Sequence, residues 1–240
     1  MPAYLFADAH CHLESCTGIV RPDILHITCG YSMGSCRRNS QICLQHENAF
    51  LVAGIAPQEA MKHKEVKVKL AEWEDEISRL PKLVGIGEIG LDYHWAKTEE
   101  ERFLQHEAFI SQLVLAERLW LPVVVHTRDA EAECLEILRN FSLPVMLHCF
   151  SGTAEQALSI VSTPGRTIIS VPPRQSKERK RFMRDLPIER LVPESDAPYI
   201  GKEPSDALES IKMMASIREA SEDDIRAETL KTTALFFKIA

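Results

Sequence analysis

The chain has 240 residues, which is the length of one large domain and argues against a multidomain assembly. Apolar residues make up 45% and charged residues 26% of the chain, so the composition excludes an intrinsically disordered protein. The formal net charge of −7 argues against a protein that coats nucleic acid through summed phosphate neutralisation, so any such contact has to be local.

The N-terminal segment and the cysteines indicate a cytoplasmic protein. Residues 1–8 lack the basic region of a signal peptide, and no apolar stretch approaches the length of a membrane span. The 7 cysteines show no C-x-x-C pairing, and a chain of this length does not need disulfide bonds to hold its core together. We therefore expect no membrane partner, and we assign residues 1–240 to a single domain.

Eight short apolar runs recur along the chain, with helical segments between them. The predicted strands are Tyr4–Ala9, Ile24–Cys29, Phe50–Ile55, Leu83–Ile89, Leu121–His126, Pro144–Cys149, Thr167–Val171 and Leu191–Glu194. Because alternating strands and helices form parallel units, and apolar strands of this kind are buried on both faces, the pattern predicts a (β/α)8 TIM barrel. A doubly wound open sheet is the competing architecture, but it does not explain ligand-type residues at strand ends from both halves of the chain.

The clearest predicted helix lies between the fourth and fifth strands. Thr98 and Glu101 have the spacing of a capping box, in which each side chain binds the backbone N–H of the other residue. Apolar residues follow at helical spacing, namely Phe109, Leu113, Ala116 and Trp120. The segment therefore predicts an amphipathic helix.

Six residues with metal-binding side chains lie at or near the ends of the predicted strands. His10 and His12 follow the first run, Glu88 lies in the fourth, His126 and His148 end the fifth and sixth, and Asp196 follows the eighth. In a barrel these strand ends converge on one face. Residues two apart in a strand share a face, so both imidazoles of the His-x-His pair can bind one ion. Because buried imidazoles and carboxylates are costly unless they are paired or bound to metal, the set predicts a metal site.

Several segments resemble, in order, the motifs of the TatD family of metal-dependent hydrolases. The segments are Phe6–Glu14, Gly85–Tyr93, Gln112–Ala116, Leu121–Ala130, His148–Gly152 and Glu194–Tyr199. This family is a TIM-barrel branch of the amidohydrolase superfamily. It includes magnesium-dependent DNases, several of which are 3′ to 5′ exonucleases, and some relatives that remove D-amino acids from tRNA.

The resemblance implies a site for two divalent ions. It assigns one ion to His10, His12 and Asp196 and the other to His126 and His148, with Glu88 as the bridge between them. Two ions can activate a water and stabilise the charge on both the attacking and the leaving oxygen of a phosphodiester. Asp196 is then expected to accept the proton of that water, so Asp196 and Glu88 are the candidate catalytic residues. The mixture of imidazoles and carboxylates suits Mg²⁺ or Mn²⁺, with Zn²⁺ as an alternative.

Two side chains near these ligands are candidate substrate contacts. Arg128 could bind a phosphate through its planar guanidinium, although an ion pair with Asp129 is an equal alternative. Trp95 could stack on a base, although packing beneath a loop explains it equally well. The basic segment Arg174–Arg190 follows the seventh strand and could guide a nucleic-acid backbone, but dense charge of this kind favours a solvated helix face.

The remaining histidines and cysteines have simpler interpretations. His26, His46, His63 and His106 fall inside strands or helices, so we assign them structural or exposed positions. Cys11 and Cys149 are neighbours of predicted ligands in the sequence, but strand alternation points their side chains away from those ligands. We therefore expect both cysteines to be small buried residues rather than metal ligands.

The sequence departs from the family pattern at two places that bear on substrate choice. The family usually has Gly-x-His-Pro after the third strand, whereas this chain has Ala56 at the histidine position. The family commonly has a longer Arg-Asn-Glu-Pro loop after the last ligand, whereas only Gly201–Pro204 remains here. Both changes leave the six ligand positions intact.

The sequence therefore supports three candidate functions, of unequal weight. The leading hypothesis is a deoxyribonuclease that cleaves DNA phosphodiesters, and a 3′ to 5′ exonuclease is one form of it. The second is an ester or amide hydrolase of the same superfamily, such as a D-aminoacyl-tRNA deacylase acting on tRNA. The third is a non-catalytic metal-binding scaffold, which the intact ligand set argues against. The oligomeric state, the physiological metal and the direction of any exonuclease action are left open by the sequence.

Overall fold

A computed structural model of the protein describes residues 4–18, 20–161 and 167–239. The strands are β1 (Phe6–Cys11), β2 (Ile24–Cys29), β3 (Ala49–Ala53), β4 (Leu83–Asp92), β5 (Val123–Arg128), β6 (Val145–His148), β7 (Thr167–Val171) and β8 (Leu191–Pro193). The helices are α1 (Met33–Gln45), α2 (Pro57–Ala60), α3 (Val66–Ser78), α4 (Glu99–Leu119), α5 (Glu131–Leu138), α6 (Ala154–Val161), α7 (Lys177–Asp185), α8 (Ala207–Arg218) and α9 (Glu222–Phe236).

The strands form one parallel sheet in chain order, from β1 to β8. Backbone hydrogen bonds join its two edges, because Asp196 donates to the His10 carbonyl at 3.0 Å and His12 donates to the Ala197 carbonyl at 2.8 Å. The Asp8 carboxylate adds bonds from the Ser195 N–H at 2.8 Å and the Ser195 hydroxyl at 2.6 Å. The predicted (β/α)8 barrel is confirmed, and the doubly wound open sheet is wrong.

The hydrophobic core occupies two layers, one between the strands and the helices and one inside the barrel. The inner layer consists of strand side chains and the end of α9, namely Ala9, Ile27, Cys29, Val52, Val124, Met146, Ile168, Val192, Phe236 and Phe237. Phe237 packs near Gly85, at the beginning of β4, so this aromatic pair fills the barrel at the N-terminal ends of its strands. The opposite end of the barrel is left for polar side chains.

Several element boundaries differ from the prediction. β1 begins at Phe6 and continues through Cys11, so His10 lies within the strand rather than after it. β4 continues to Asp92, because its last residues pair with β5 as far as Arg128. Between β1 and β2 the described residues form only a 3-10 turn, Leu13–Ser15, and not the expected helical segment.

Helix α4 begins as predicted and ends one residue early. The Thr98 hydroxyl accepts from the Glu101 N–H at 3.1 Å, and the Glu101 carboxylate accepts from the Thr98 N–H at 2.9 Å, so the capping box is confirmed. Trp120 adopts a left-handed conformation that ends the helix, and its side chain is 83% exposed. It therefore does not belong to the buried face, contrary to the prediction.

Among the described residues, no helix combines the length and the apolar character that crossing a bilayer requires. The assignment of residues 1–240 to one domain stays a prediction.

Candidate metal centre

The six predicted ligands meet at the carboxyl end of the barrel. The Nε2 atoms of His10 and His12 lie 3.2 Å apart, and Asp196 Oδ1 lies 3.7 Å from the first and 3.5 Å from the second. The ring of His148 stacks on that of His10 with a centroid distance of 3.7 Å, and the ring of His126 lies 5.9 Å from that of His148. Side chains from residue 10 to residue 196 thus surround one cavity.

Glu88 lies between two groups of possible ligands. One group comprises His10, His12 and Glu88, and the other comprises Glu88, His126 and His148; in each group the candidate ligand atoms lie within 4.8 Å of one another. The two oxygens of Glu88 face different groups, with Oε2 at 3.9 Å from His12 Nε2 and Oε1 at 2.9 Å from His126 Nδ1. A carboxylate in this position is suited to bridge two cations.

Two further groups of ligand-type side chains are already engaged by protein partners. In the group of His10, His148 and Glu194, the Glu194 carboxylate accepts from His148 Nδ1 at 2.8 Å. In the group of Asp8, Cys11 and His26, the Asp8 oxygens bind Ser195. We therefore place the candidate ions at the two groups that share Glu88.

The donor atoms fit divalent cations. His12 Nδ1 lies 2.8 Å from the Cys29 carbonyl and must donate to it, which leaves the lone pair on Nε2 directed into the site. His10 is only 1% exposed, yet its Nδ1 has no hydrogen-bond partner among the described residues. Four buried carboxylates surround the histidine rings, namely Glu88, Asp92, Glu194 and Asp196. Within the described ranges, all of their ion pairs are with histidines.

The electrostatics of the site favour an ionised Glu88 and a neutral His10. Burial raises the pKa of the Glu88 carboxyl, but the hydrogen bond with His126 and the neighbouring imidazoles outweigh this effect and hold the pKa well below its usual range. Burial lowers the pKa of His10 well below its ordinary value, so this imidazole is neutral and offers a lone pair.

The other three ligand imidazoles lie in a field that favours positive charge. Burial lowers the pKa of His12, but a hydrogen bond with Asp196 and the charge of Glu88 raise it above its ordinary value. Burial lowers the pKa of His126, but hydrogen bonds with Asp92 and Glu88 raise it to about 9. Burial likewise lowers the pKa of His148, but Glu194 and Asp196 raise it to about 10. A divalent cation would meet the same electrostatic demand, and its binding would displace the protons.

Two carboxylates orient the ligand rings, although the sequence analysis assigned them no role. Asp92 Oδ2 accepts from His126 Nε2 at 3.0 Å, which directs Nδ1 of that ring towards Glu88. Glu194 accepts from His148 Nδ1 at 2.8 Å and from the Ser170 hydroxyl at 2.6 Å, which leaves His148 Nε2 for a metal. The available signal was a carboxylate inside each motif segment, at or just beyond the end of an apolar strand.

Asp92→Asn is expected to weaken the affinity for a divalent metal about 10- to 100-fold, the usual loss when the partner of a ligating histidine is changed. The amide keeps the size of the side chain but removes the charge that holds His126 in place. Titration calorimetry of metal-free protein with Mn²⁺ or Zn²⁺ would measure the loss. Asp129→Asn is the control, because Asp129 lies at the rim of the site and pairs with His94 at 3.5 Å rather than with a ligand. Equal affinities in the two variants would contradict the role of Asp92.

The cavity above the ligands has a volume of about 500 Å³, and both predicted substrate contacts line it. Trp95 is 55% exposed, so packing beneath a loop does not account for it. Arg128 is exposed and has no ion pair among the described residues, while its neighbour Asp129 pairs with His94 instead. The alternative ion pair of Arg128 with Asp129 is therefore not observed, and the role of both side chains in binding substrate stays a prediction.

The two departures from the family pattern lie at this cavity or beside it. Ala56 is 3% exposed, lines the cavity and donates its N–H to the Tyr31 carbonyl at 2.9 Å. In the same region Gln58 donates to Asp92 at 2.6 Å. The short loop after Asp196 folds back, because Gly201 donates to the Ser195 carbonyl at 2.8 Å.

The remaining sequence interpretations are confirmed in part. His26 is buried, and burial lowers its pKa to about 4, which fits a neutral structural residue. Cys11 is buried as expected, whereas Cys149 is partly exposed and lines a second cavity, contrary to the prediction.

The basic segment is mostly a solvated helix face. Its exposed cations on α7 are Lys177, Lys180, Arg181 and Arg184. Arg179 departs from this pattern, because it is only 5% exposed.

Comparisons with known proteins identify relatives over almost the whole chain. A family model described as TatD related DNase matches residues 7–238. The uncharacterized metal-dependent hydrolase YabD of Bacillus subtilis is 27% identical over 226 residues, which cover 89% of this chain and 87% of that protein. The 3'-5' ssDNA/RNA exonuclease TatD of Escherichia coli strain K12 is 29% identical over 177 residues, which cover 71% of this chain and 66% of that protein.

Solved structures share the fold. The crystal structure of YJJV, a TatD homolog from Escherichia coli K12, superposes with a TM-score of 0.85 at 24% identity and covers 98% of each chain. A crystal structure of a TatD family hydrolase from Entamoeba histolytica gives a TM-score of 0.81 at 20% identity, again covering 98% of each chain.

Proposed function

The chain belongs to the TatD family of metal-dependent hydrolases, and from this premise we propose that it is a deoxyribonuclease that hydrolyses phosphodiester bonds of single-stranded DNA. The observation that carries the proposal is the pair of ligand groups that share Glu88 beneath an open cavity. Two relatives are named 3'-5' ssDNA/RNA exonucleases, which supports a nucleic-acid substrate and a 3′ to 5′ exonuclease as one form of the activity.

Two divalent ions, Mg²⁺ or Mn²⁺ with Zn²⁺ as an alternative, would supply Lewis acidity towards the phosphate and lower the pKa of the attacking water. His10, His12 and Asp196 would hold one ion, His126 and His148 the other, and Glu88 both. Asp196 would accept the proton of the attacking water, because one carboxylate can bind metal through one oxygen and a proton through the other. His126 and His148 are kept in position by Asp92 and Glu194.

The side chains around the cavity suit a nucleotide. Arg128 offers a phosphate oxygen a guanidinium that has no ion pair among the described residues. Trp95 and Tyr199, which are 55% and 61% exposed, offer aromatic faces on which a base can stack. Positive charge combined with aromatic surface is typical of sites that bind single-stranded nucleic acid.

The test is a hydrolysis screen of metal-free protein reconstituted separately with Mg²⁺, Mn²⁺ and Zn²⁺. The substrates are single-stranded DNA, RNA and D-aminoacylated tRNA. We expect nucleotide release from DNA that stops when a chelator is added and returns when excess metal is restored. Release of the amino acid from tRNA without DNA cleavage would replace the proposal with the deacylase. Metal binding without hydrolysis of any substrate would leave the non-catalytic scaffold.

A further inference from the structure

A second cavity adjoins the first at the candidate metal ligands. It has a volume of about 610 Å³, and it extends over the carboxyl ends of β5 to β8. Both cavities are lined by His126, His148 and Asp196, together with Arg128 and Tyr199. A ligand that reaches the metal centre can therefore extend directly into this second space, which we call the arginine cavity.

Three guanidinium groups line the arginine cavity, namely those of Arg128, Arg174 and Arg179. Its acidic lining residues are Asp129, which pairs with His94, and Asp196, at the metal centre. Arg128 and Arg174 are exposed, and neither has an ion pair within the described part of the chain. Three arginines against two carboxylates give the lining an excess of positive charge, although the whole chain has a formal net charge of −7.

Arg179 is a buried cation that has no carboxylate partner in the part of the chain that the structure describes. Its side chain is 5% exposed, and its Nη1 and Nη2 donate to the carbonyls of Arg174 at 2.6 Å and Phe150 at 3.2 Å. Its Nε is buried without a hydrogen-bond partner, and no ion pair involves this residue in the described ranges. Because arginine is rarely buried unless an opposite charge pairs with it, this position calls for an anion nearby.

The same residue fixes the loop that leads into α7. The bond from Arg179 to the Arg174 carbonyl holds that loop against the cavity, and the Ser176 hydroxyl caps the helix by accepting from the Arg179 N–H at 3.1 Å. Ser176 itself lines the cavity, so the positive end of the helix dipole faces the same space. Arg179 thus acts as a positioning residue, and Arg174 is the group free to contact a ligand.

We propose that the arginine cavity binds the backbone phosphate of a nucleotide adjacent to the scissile one in single-stranded DNA. This inference rests on the proposed function, because it places the scissile phosphate at the metal centre and the neighbouring phosphate beside Arg174 and Arg128. The first cavity, with its aromatic side chains, then receives the base on the other side of the cleaved bond. A substrate with at least two phosphates uses both cavities, whereas a diester with one phosphate uses only the metal centre.

The test compares kcat/KM on a short single-stranded DNA oligonucleotide with kcat/KM on thymidine 5′-(p-nitrophenyl phosphate), which has one phosphate. The ratio of the two values measures the contribution of the second phosphate. Arg174→Gln is expected to lower this ratio about tenfold, the size expected when one charged hydrogen bond is lost. Lys180→Gln is the control, because Lys180 is exposed on α7, the helix that follows Arg174, does not line the cavity and has no ion pair among the described residues. It should keep the ratio within about twofold of wild type, since surface charges away from a contact contribute little.

The outcomes separate this inference from the proposed function. Hydrolysis of both substrates with an unchanged ratio in Arg174→Gln, or an equal fall in both variants, would overturn the phosphate site and leave the nuclease. If wild type hydrolyses neither substrate, the nuclease proposal fails, and fluorescence anisotropy of a labelled oligonucleotide decides the phosphate site. In that assay Arg174→Gln should reduce the slope of log affinity against log salt by about 0.7, the value for one phosphate contact on a single strand.

Discussion

Asp196→Asn is expected to lower the hydrolysis of single-stranded DNA by about 10²- to 10⁴-fold, the contribution of a positioned proton acceptor. The amide can still bind metal through its oxygen, but it cannot accept the proton of the attacking water. The backbone should not change, because Asp196 has a φ of 47° and asparagine is one of the few residues that adopts this left-handed region readily. We therefore expect loss of turnover with most of the metal retained.

Two measurements on the same sample test this expectation. Metal content after gel filtration reports on the ions, and nucleotide release under single-turnover conditions reports on the chemical step. Asp224→Asn is the control, because this exposed residue of α9 makes the same charge change far from the barrel mouth. Turnover at the wild-type rate in Asp196→Asn would exclude Asp196 as the proton acceptor, and loss of all metal would show that its main role is ligation.

Glu88→Gln is expected to have a larger effect on the metal. Both groups of ligand atoms include this side chain, and its two oxygens face His12 and His126. Glutamine has one oxygen in place of two and has no negative charge to offset two cations. We expect this variant to lose at least one bound ion. Hydrolysis should fall by more than roughly 100-fold, which is the loss that changing a residue behind a metal ligand produces.

Metal analysis and titration calorimetry would measure the stoichiometry of this variant. Glu59→Gln is the matched control, because Glu59 lines the same cavity but pairs with Lys62 at 2.7 Å rather than with a ligand. It should retain the wild-type stoichiometry. Wild-type metal content together with wild-type hydrolysis in Glu88→Gln would rule out the bridging role.

The barrel and the convergence of the six candidate ligand residues could be predicted because they leave a local signal. A histidine or carboxylate at the end of an apolar strand stands out in the sequence, and parallel strands bring such ends together. The carboxylates that orient the ligand rings left a weaker signal, since the pairing of Asp92 with His126 joins residues that are 34 positions apart. No pattern along the chain specifies which of several acids near a strand end faces a ligand ring.

The burial of Arg179 is a second feature that could not be predicted from the sequence. It lies among basic residues that are exposed as predicted, and its burial depends on where α7 packs against the rest of the barrel. The turn after β1 is a third such feature. The segment between β1 and β2 is long enough for a helix, but its described residues form only a 3-10 turn. In both places tertiary packing overrides local preference.

The seam between β8 and β1 makes the active centre depend on the completion of the polypeptide. Asp8 and Ser195, which are bonded across the seam, are separated by 187 positions, so the bonds that close the ring are contacts of very long range. During synthesis His10 and His12 leave the ribosome early, but Asp196 follows only after four-fifths of the protein has been made. Contacts of such long range form late in folding. An unfinished or truncated product therefore lacks the full set of candidate ligands, so metal-dependent hydrolysis has to wait until the whole ring exists.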